Sequence, residues 1–163
     1  MFSSFTPIGS ALVTERLVLR KWTAAELSAV VAGHREDGWA ADFPAEGDRV
    51  IAGVIAELGN ESDDYGHRLI VERDGGALVG SISLLESPDE GLVEIGYGVV
   101  ASRRGRGYAA EAARALVEFA LASAGIDGVY AEVERVNPAS IRVLEKAGFR
   151  MYGSTESTVR YGT

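Results

Sequence analysis

The sequence predicts a mixed α/β (α+β) domain built on one central sheet with helices on its faces. Three observations carry this. The middle of the chain alternates apolar and polar residues with period two, punctuated by Asp74-Gly75-Gly76 and Pro88-Asp89-Glu90-Gly91, the pattern of an antiparallel meander. Flanking segments place apolar residues at helical spacing, and most begin at a capping residue or a proline. A length of 163 residues, 47% apolar and 25% charged, supports one core rather than two. One domain is therefore expected over residues 1–163, with 1–13 a loose arm.

Each element follows from local chemistry. Arg16 to Lys21 reads as a strand with Leu17 and Leu19 on one face. Thr23 followed by Glu26 is a capping box, so a helix starts there and runs to about Gly33. Residues 34–47 hold Gly38, Pro44 and Gly47 and read as a loop. Asp48 caps a second helix through Leu58, with Val50, Val54, Ile55 and Leu58 at helical spacing. His67 to Arg73, Ala77 to Leu85 and Leu92 to Val100 are the meander strands. Gly107 to Ala124 is a helix that turns Ala109, Ala112, Ala113, Leu116, Val117 and Ala120 inward and Glu111, Arg114 and Glu118 outward, with Gly125 closing it. Val129 to Val136 is a strand. Asn137-Pro138 opens a short helix that Gly148 ends. Phe149 to Gly153 and Thr158 to Tyr161 are final short strands. The order is β-α-α-β-β-β-α-β-α-β-β.

Composition excludes several classes. The chain has no cysteine and two histidines. It therefore offers neither a thiolate nucleophile nor a cysteine or three-histidine metal centre, and no metal is expected. Sixteen basic against 24 acidic residues leave a net charge of −8, unsuited to general binding of nucleic acid or anionic membrane. That charge suits a cationic acceptor such as an amine. No run reaches the length of a membrane span, and Met1 to Thr14 lacks the charged start and apolar stretch of a signal peptide, so a cytoplasmic location is expected. No G-x-S-x-G elbow of a serine hydrolase is present.

The strongest chemical signal is Arg103-Arg104-Gly105-Arg106-Gly107-Tyr108-Ala109, between a strand and a long helix. A helix N-terminus exposes unpaired N–H groups, glycines let a phosphate approach the backbone, and arginines add charge. The segment reads as a pyrophosphate cradle; a solvated turn with surface arginines fits the same residues. Gly105, Gly107 and Ala110 also satisfy the dinucleotide pattern G-x-G-x-x-G/A, but that fingerprint follows the first strand of a parallel sheet, not a meander. In Leu92 to Val100, Glu94, Gly96 and Gly98 share one face, leaving an open slot beside a carboxylate able to accept a proton. A solvent-facing glutamate is the plainer alternative. Asn137 is placed either to cap its helix or to meet a ligand, and Ser140 either to satisfy first-turn N–H groups or to protonate a leaving group. Arg142, Glu145 and Lys146 read as a solvated helix face. Trp22, Trp39, Phe43 and Tyr65 suit core packing, with Trp39 and Phe43, in the predicted loop, the better lid or pocket candidates. His34 and His67 have no partner at metal spacing.

Four blocks together resemble the GNAT acetyltransferase superfamily. They are Thr14-Glu15-Arg16-Leu17-Val18-Leu19-Arg20, Glu94-Ile95-Gly96-Tyr97, Arg104 through Ala109 with Glu111-Ala112, and Asn137-Pro138-Ala139-Ser140 with Glu145-Lys146-Ala147-Gly148-Phe149. They are most similar to its ribosomal-protein-alanine N-acetyltransferase (Rim-type) branch. The resemblance implies a GNAT-like, mostly antiparallel sheet with helices on both faces. It implies acetyl-CoA as co-substrate, its pyrophosphate on the backbone of Arg104, Gly105, Arg106, Gly107, Tyr108 and Ala109. The pantetheine would lie along Tyr97, Gly98 and Val99 and meet Asn137. It further implies Val99 N–H on the thioester carbonyl, Glu94 as general base through water, and Ser140 as the general acid, because the usual tyrosine seven residues after the asparagine is Leu144. The usual proline before the arginine loop is replaced by Ala101-Ser102. A homodimer is common among such enzymes.

The expected activity is transfer of an acetyl group to a primary amine, on a peptide N-terminus or a small molecule, by direct attack in a ternary complex. Two alternatives stand beside it: a non-catalytic acyl-CoA-binding sensor on the same fold, and a nucleotide-dependent oxidoreductase using the Gly105 loop.

Overall fold

A computed structural model of the chain describes residues 11–58, 66–87 and 89–163. The reading of residues 1–10, of Tyr65 and of Pro88 lies outside the described residues. A single mixed sheet runs through the molecule. Its strands are β1 (Leu12–Val13), β2 (Leu17–Lys21), β3 (His67–Glu72), β4 (Leu78–Glu86), β5 (Leu92–Val99), β6 (Gly128–Glu134), β7 (Arg150–Ser154) and β8 (Thr158–Gly162). The helices are α1 (Ala24–Ala32), α2 (Glu46–Leu58), α3 (Tyr108–Leu121) and α4 (Pro138–Lys146). Strand order is β1-β2-β3-β4-β5-β6-β8-β7. Every pairing is antiparallel except β5 with β6. Among the described residues that topology is not the doubly wound parallel sheet in which the dinucleotide fingerprint normally sits.

The expected elements form with shifted ends. Thr23 accepts from Glu26 N–H while the Glu26 carboxylate accepts from Thr23 N–H, so both halves of the capping box are made. Arg20 grips the same carboxylate at 2.6 Å and ties β2 to α1. Burial alone would raise the Glu26 pKa, but the Arg20 and Thr23 hydrogen bonds bring it below the usual carboxylate range. Helix α2 begins earlier than expected. Asp48 sits inside its first turn and reaches back to accept from Ala45 N–H, rather than preceding the helix as its cap. Its buried apolar positions, among the described residues, are Ala52 and Ile55, with Asp48 buried beside them, whereas Val50 and Val54 are exposed. Helix α3 ends at Leu121, with Gly125 in the turn beyond it.

The loose-arm reading does not hold for its last residues: Leu12 and Val13 pair with Leu19 and Val18, and Leu12 is buried. Phe43 is fully buried and packs edge-on to Trp39 at 5.2 Å, so it belongs to the core and not to a lid. Glu111 does not face solvent freely. It accepts from the Thr14 hydroxyl and from Arg16, tying α3 to the start of the sheet.

Helices cover both faces of the sheet. The Tyr97 side chain bonds Ser140 of α4, and Arg68 lies over the Phe119 ring of α3, so α3 and α4 share one face. On the other, Asp48 of α2 accepts from Ser81 and Glu26 of α1 from Arg20. One feature of the sheet positions the site. The pairing of β5 with β6 stops at Glu94 and Tyr130, yet β5 continues to Val99. Beyond Glu94 the two strands part, and among the described residues the β6-facing edge of β5 has no strand partner.

Candidate active site

The open edge of β5 carries a defined set of backbone groups. Val100 N–H donates to Val79 across the β4 ladder, so in an antiparallel pair residues 98, 96 and 94 also bond to β4. The N–H and C=O groups of Tyr97 and Val99 then point the other way, into the gap past the last β5–β6 pairing. Arg104 closes one of them: its Nε donates to Val99 O at 3.0 Å.

Just past this edge the chain makes a single 3-10 turn, Ala101–Arg103, and enters α3 through Gly105 and Gly107. Both glycines have positive φ, +80° and +84°, a conformation that costs other residues a Cβ clash. A Cβ on Gly107 would come into van der Waals contact with the Arg16 guanidinium at 3.4 Å. No side chain caps α3. Its first intrahelical bond is Glu111 N–H to Gly107 O, so among the described residues the N–H groups of Tyr108, Ala109 and Ala110 have no partner and lie at the positive end of the helix dipole.

The loop is braced from outside. Glu72 of β3 accepts from Tyr108 Oη at 2.8 Å and Arg103 Nε at 3.1 Å. Arg16 donates to Arg106 O at 2.7 Å and stacks on the Tyr108 ring. Asp42 accepts from the backbone and hydroxyl of Ser102. Three separate segments thus fix the backbone before any ligand arrives.

A cavity of about 450 Å³ lies between β5, this loop and α4. Ten of the residues singled out in the sequence line it: Tyr97, Gly98, Val99, Arg104, Gly105, Gly107, Tyr108, Ala109, Asn137 and Ser140. Arg106 does not; its guanidinium turns outward toward Glu72, 3.7 Å away, into a second cavity. Glu94 does not line it either. It projects from the opposite face of β5, with Gly96 and Gly98, and a Cβ added at Gly98 would meet no atom within 4 Å. The predicted open slot is present.

Sequence reasoning missed part of the wall. Ala139, Arg142, Val143 and Lys146 of α4 face the cavity, although Arg142 and Lys146 read as a solvated face. Their spacing of three and four residues on one stripe was the available signal. Arg103, Arg104, Arg142 and Lys146 make four basic residues on the cavity wall and, among the described residues, no acidic one joins them, in a chain of net charge −8.

Asn137 spends its side-chain oxygen on the helix cap, accepting from Ser140 N–H at 3.2 Å, which leaves its NH₂ group for another partner. Leu144 is fully buried and offers nothing to the cavity. Ser140 Oγ lies 2.7 Å from Tyr97 Oη. Burial pushes the Tyr97 phenol up, against the opposing hydrogen bond from Ser140.

The opposite face of β5 has the reverse electrostatics. Burial raises the Glu94 pKa, the nearby Glu132 carboxylate raises it further, and Arg160 works against both. Glu132 itself accepts from Thr158 Oγ1 at 2.8 Å and pairs with Arg160 at 3.5 Å. Among the described residues no group of three acidic or histidine side chains gathers as a metal site, and no helix is long and apolar enough to cross a membrane.

These features coincide with known proteins. A family model described as the acetyltransferase (GNAT) domain matches residues 16–150. The uncharacterized N-acetyltransferase YjdG of Bacillus subtilis is 36% identical over 91 residues, covering 55% of this chain and 54% of its own length. The match thus spans about half of that relative. The crystal structure of a GNAT-family acetyltransferase from Bacillus anthracis superposes with a TM-score of 0.71 over 94% of this chain and 98% of that one, at 22% identity. RimL, a ribosomal L7/L12 alpha-N-protein acetyltransferase solved in complex with coenzyme A, superposes with a TM-score of 0.66 over 94% and 97%, at 17% identity. With the family's domain matched across most of its length, the chain belongs to the GNAT family and is an acetyltransferase.

Proposed function

We propose that the protein transfers the acetyl group of acetyl-CoA to a primary amine in a ternary complex, with no covalent enzyme intermediate. The single observation that carries this is the cavity lined, among the described residues, by four basic and no acidic residues at a helix N-terminus without a side-chain cap, in an acidic chain. Such a wall suits a polyanion with a phosphate at the helix end. Members of the family use acetyl-CoA, and the RimL structure holds coenzyme A.

In this reading the N–H groups of Gly105 through Ala109 hold the pyrophosphate, with Arg104 adding charge. Arg142 and Lys146 add phosphate contacts from α4. The pantetheine takes the place of the missing strand beside Tyr97, Gly98 and Val99, and the Asn137 NH₂ meets it. The Val99 N–H, aimed into the gap, stabilises the oxyanion that forms on the thioester carbonyl. Glu94 takes the acceptor's proton through water from the far face of β5. Its raised pKa brings the carboxylate closer to the amine it must deprotonate and makes it a better base. The nitrogen lone pair then attacks the carbonyl carbon, the C–S bond breaks, and its electron pair leaves on sulfur. The second nitrogen proton is lost as the amide forms, and one proton ends on the thiol. Holding both substrates in the gap converts the encounter to a single-molecule step.

The acceptor class follows from charge and from the Rim-type resemblance: a peptide N-terminus or a small cationic amine. Calorimetric titration with acetyl-CoA, NAD serving as control, tests the co-substrate. Micromolar binding of acetyl-CoA alone is expected; binding of NAD instead overturns the reading. Thiol release with a peptide bearing an N-terminal alanine and with spermidine separates enzyme from acyl-CoA sensor.

A further inference from the structure

Two tyrosines line the cavity, and they differ in what their hydroxyls do. Tyr108 gives its proton to Glu72 outside the cavity. Tyr97 Oη instead lies 2.7 Å from Ser140 Oγ and 3.2 Å from the Ser140 carbonyl oxygen. The two hydroxyls come from different elements, β5 and the first turn of α4, and meet within the cavity wall formed by Val99, Asn137 and Ser140. Leu144 is aliphatic and buried in the core, so it supplies no proton donor there.

From this pair we infer that Tyr97 is a positioning residue which aims the Ser140 hydroxyl at the departing sulfur, so that Ser140 donates a hydrogen bond to the thiolate rather than a proton. The inference deepens the acetyl-transfer reading above and rests on it. Geometry supplies the aim: once Tyr97 O–H donates to Ser140 Oγ, the serine proton is free to turn away toward the ligand. Acidity supplies the limit. An alkyl thiol titrates near about 8.5 and a phenol near about 10. Burial pushes the Tyr97 phenol higher still. A proton passed from this pair to sulfur would run uphill. The stable arrangement keeps both protons on oxygen while sulfur carries the electron pair of the broken C–S bond, until solvent protonates it.

The test compares wild type, Tyr97→Phe, Ser140→Ala and the double variant, with acetyl-CoA and the alanine-led peptide or spermidine, whichever wild type acetylates. Tyr97→Phe is expected to lower kcat by about tenfold, the worth of one oriented hydrogen bond, with acetyl-CoA affinity within about twofold of wild type. The double variant is expected to match Ser140→Ala. Wild-type kcat is expected to show no fall at high pH that Tyr97→Phe abolishes. Unchanged kcat in Tyr97→Phe, effects that multiply in the double variant, a kcat loss matched by weaker acetyl-CoA binding, or a high-pH fall lost in Tyr97→Phe would each overturn the inference. Absence of turnover in wild type removes the acetyl-transfer reading itself, and the inference with it.

Discussion

The two faces of β5 are built by opposite means. On the α3–α4 face the site is mostly backbone: edge N–H groups that β6 abandons after Glu94, two glycines of positive φ, and an uncapped helix end. The charged residues there, among those described, are basic. On the other face the site is all side chain: Glu94 over an open slot, with Glu132 and Arg160 brought in from β6 and β8. A backbone site can hold the same ligand whatever residues surround it. A side-chain site changes its ligand with each substitution. The division suits an enzyme that keeps one donor and varies its acceptor.

That contrast can be broken in graded ways. The largest effect is expected from Glu94→Gln, which removes the proposed base and leaves the α3–α4 face intact: turnover should fall about 100-fold, with acetyl-CoA affinity unchanged by calorimetry. Weaker donor binding would mean that the faces are not separate. Arg104→Glu should do the reverse. It inverts a charge at the cavity and uncaps Val99 O, so acetyl-CoA affinity should drop roughly 30-fold, and equal affinity would argue against the cradle. Gly98→Val tests the slot. Its Cβ would meet no protein atom, so the melting temperature should hold, while turnover falls about tenfold because the slot is filled. A variant as active as wild type would show that nothing lies there. The smallest effect concerns pH. Glu132→Gln removes a like charge that holds the Glu94 pKa up. Glu94 then stays ionised to lower pH, and the acidic limb of kcat/KM should move to lower pH. No movement, or the opposite one, would take Glu132 out of the electrostatics of the base.

The same contrast explains what was legible in sequence. The glycine turn at the head of α3 was readable because Gly105, Gly107 and the helix start lie within a few consecutive residues, and backbone geometry leaves a compact signature. The Thr23 capping box and the meander hairpins were readable for the same reason. What is assembled across the sheet was not. Glu72 braces Tyr108 from 36 residues away, and Glu132 reaches Glu94 only because β5 and β6 are neighbours. Arg142 and Lys146 read as solvated because a cavity-facing stripe and a solvent-facing stripe look alike when polar. Val50 and Val54 fitted a helical period yet face solvent, and the small Ala52 takes the buried position. Periodicity locates a helix more surely than it names the face that packs.

The most direct measurement is amide hydrogen exchange along residues 94–110 with and without acetyl-CoA. The ligand should slow exchange at Tyr97, Val99 and Tyr108 through Ala110, whose N–H groups face the gap or head α3 unpaired. It should leave Glu94, Gly96 and Gly98, already bonded to β4, unchanged. Protection absent from the first set, or confined to the second, would contradict the assignment of the donor to the open edge of β5.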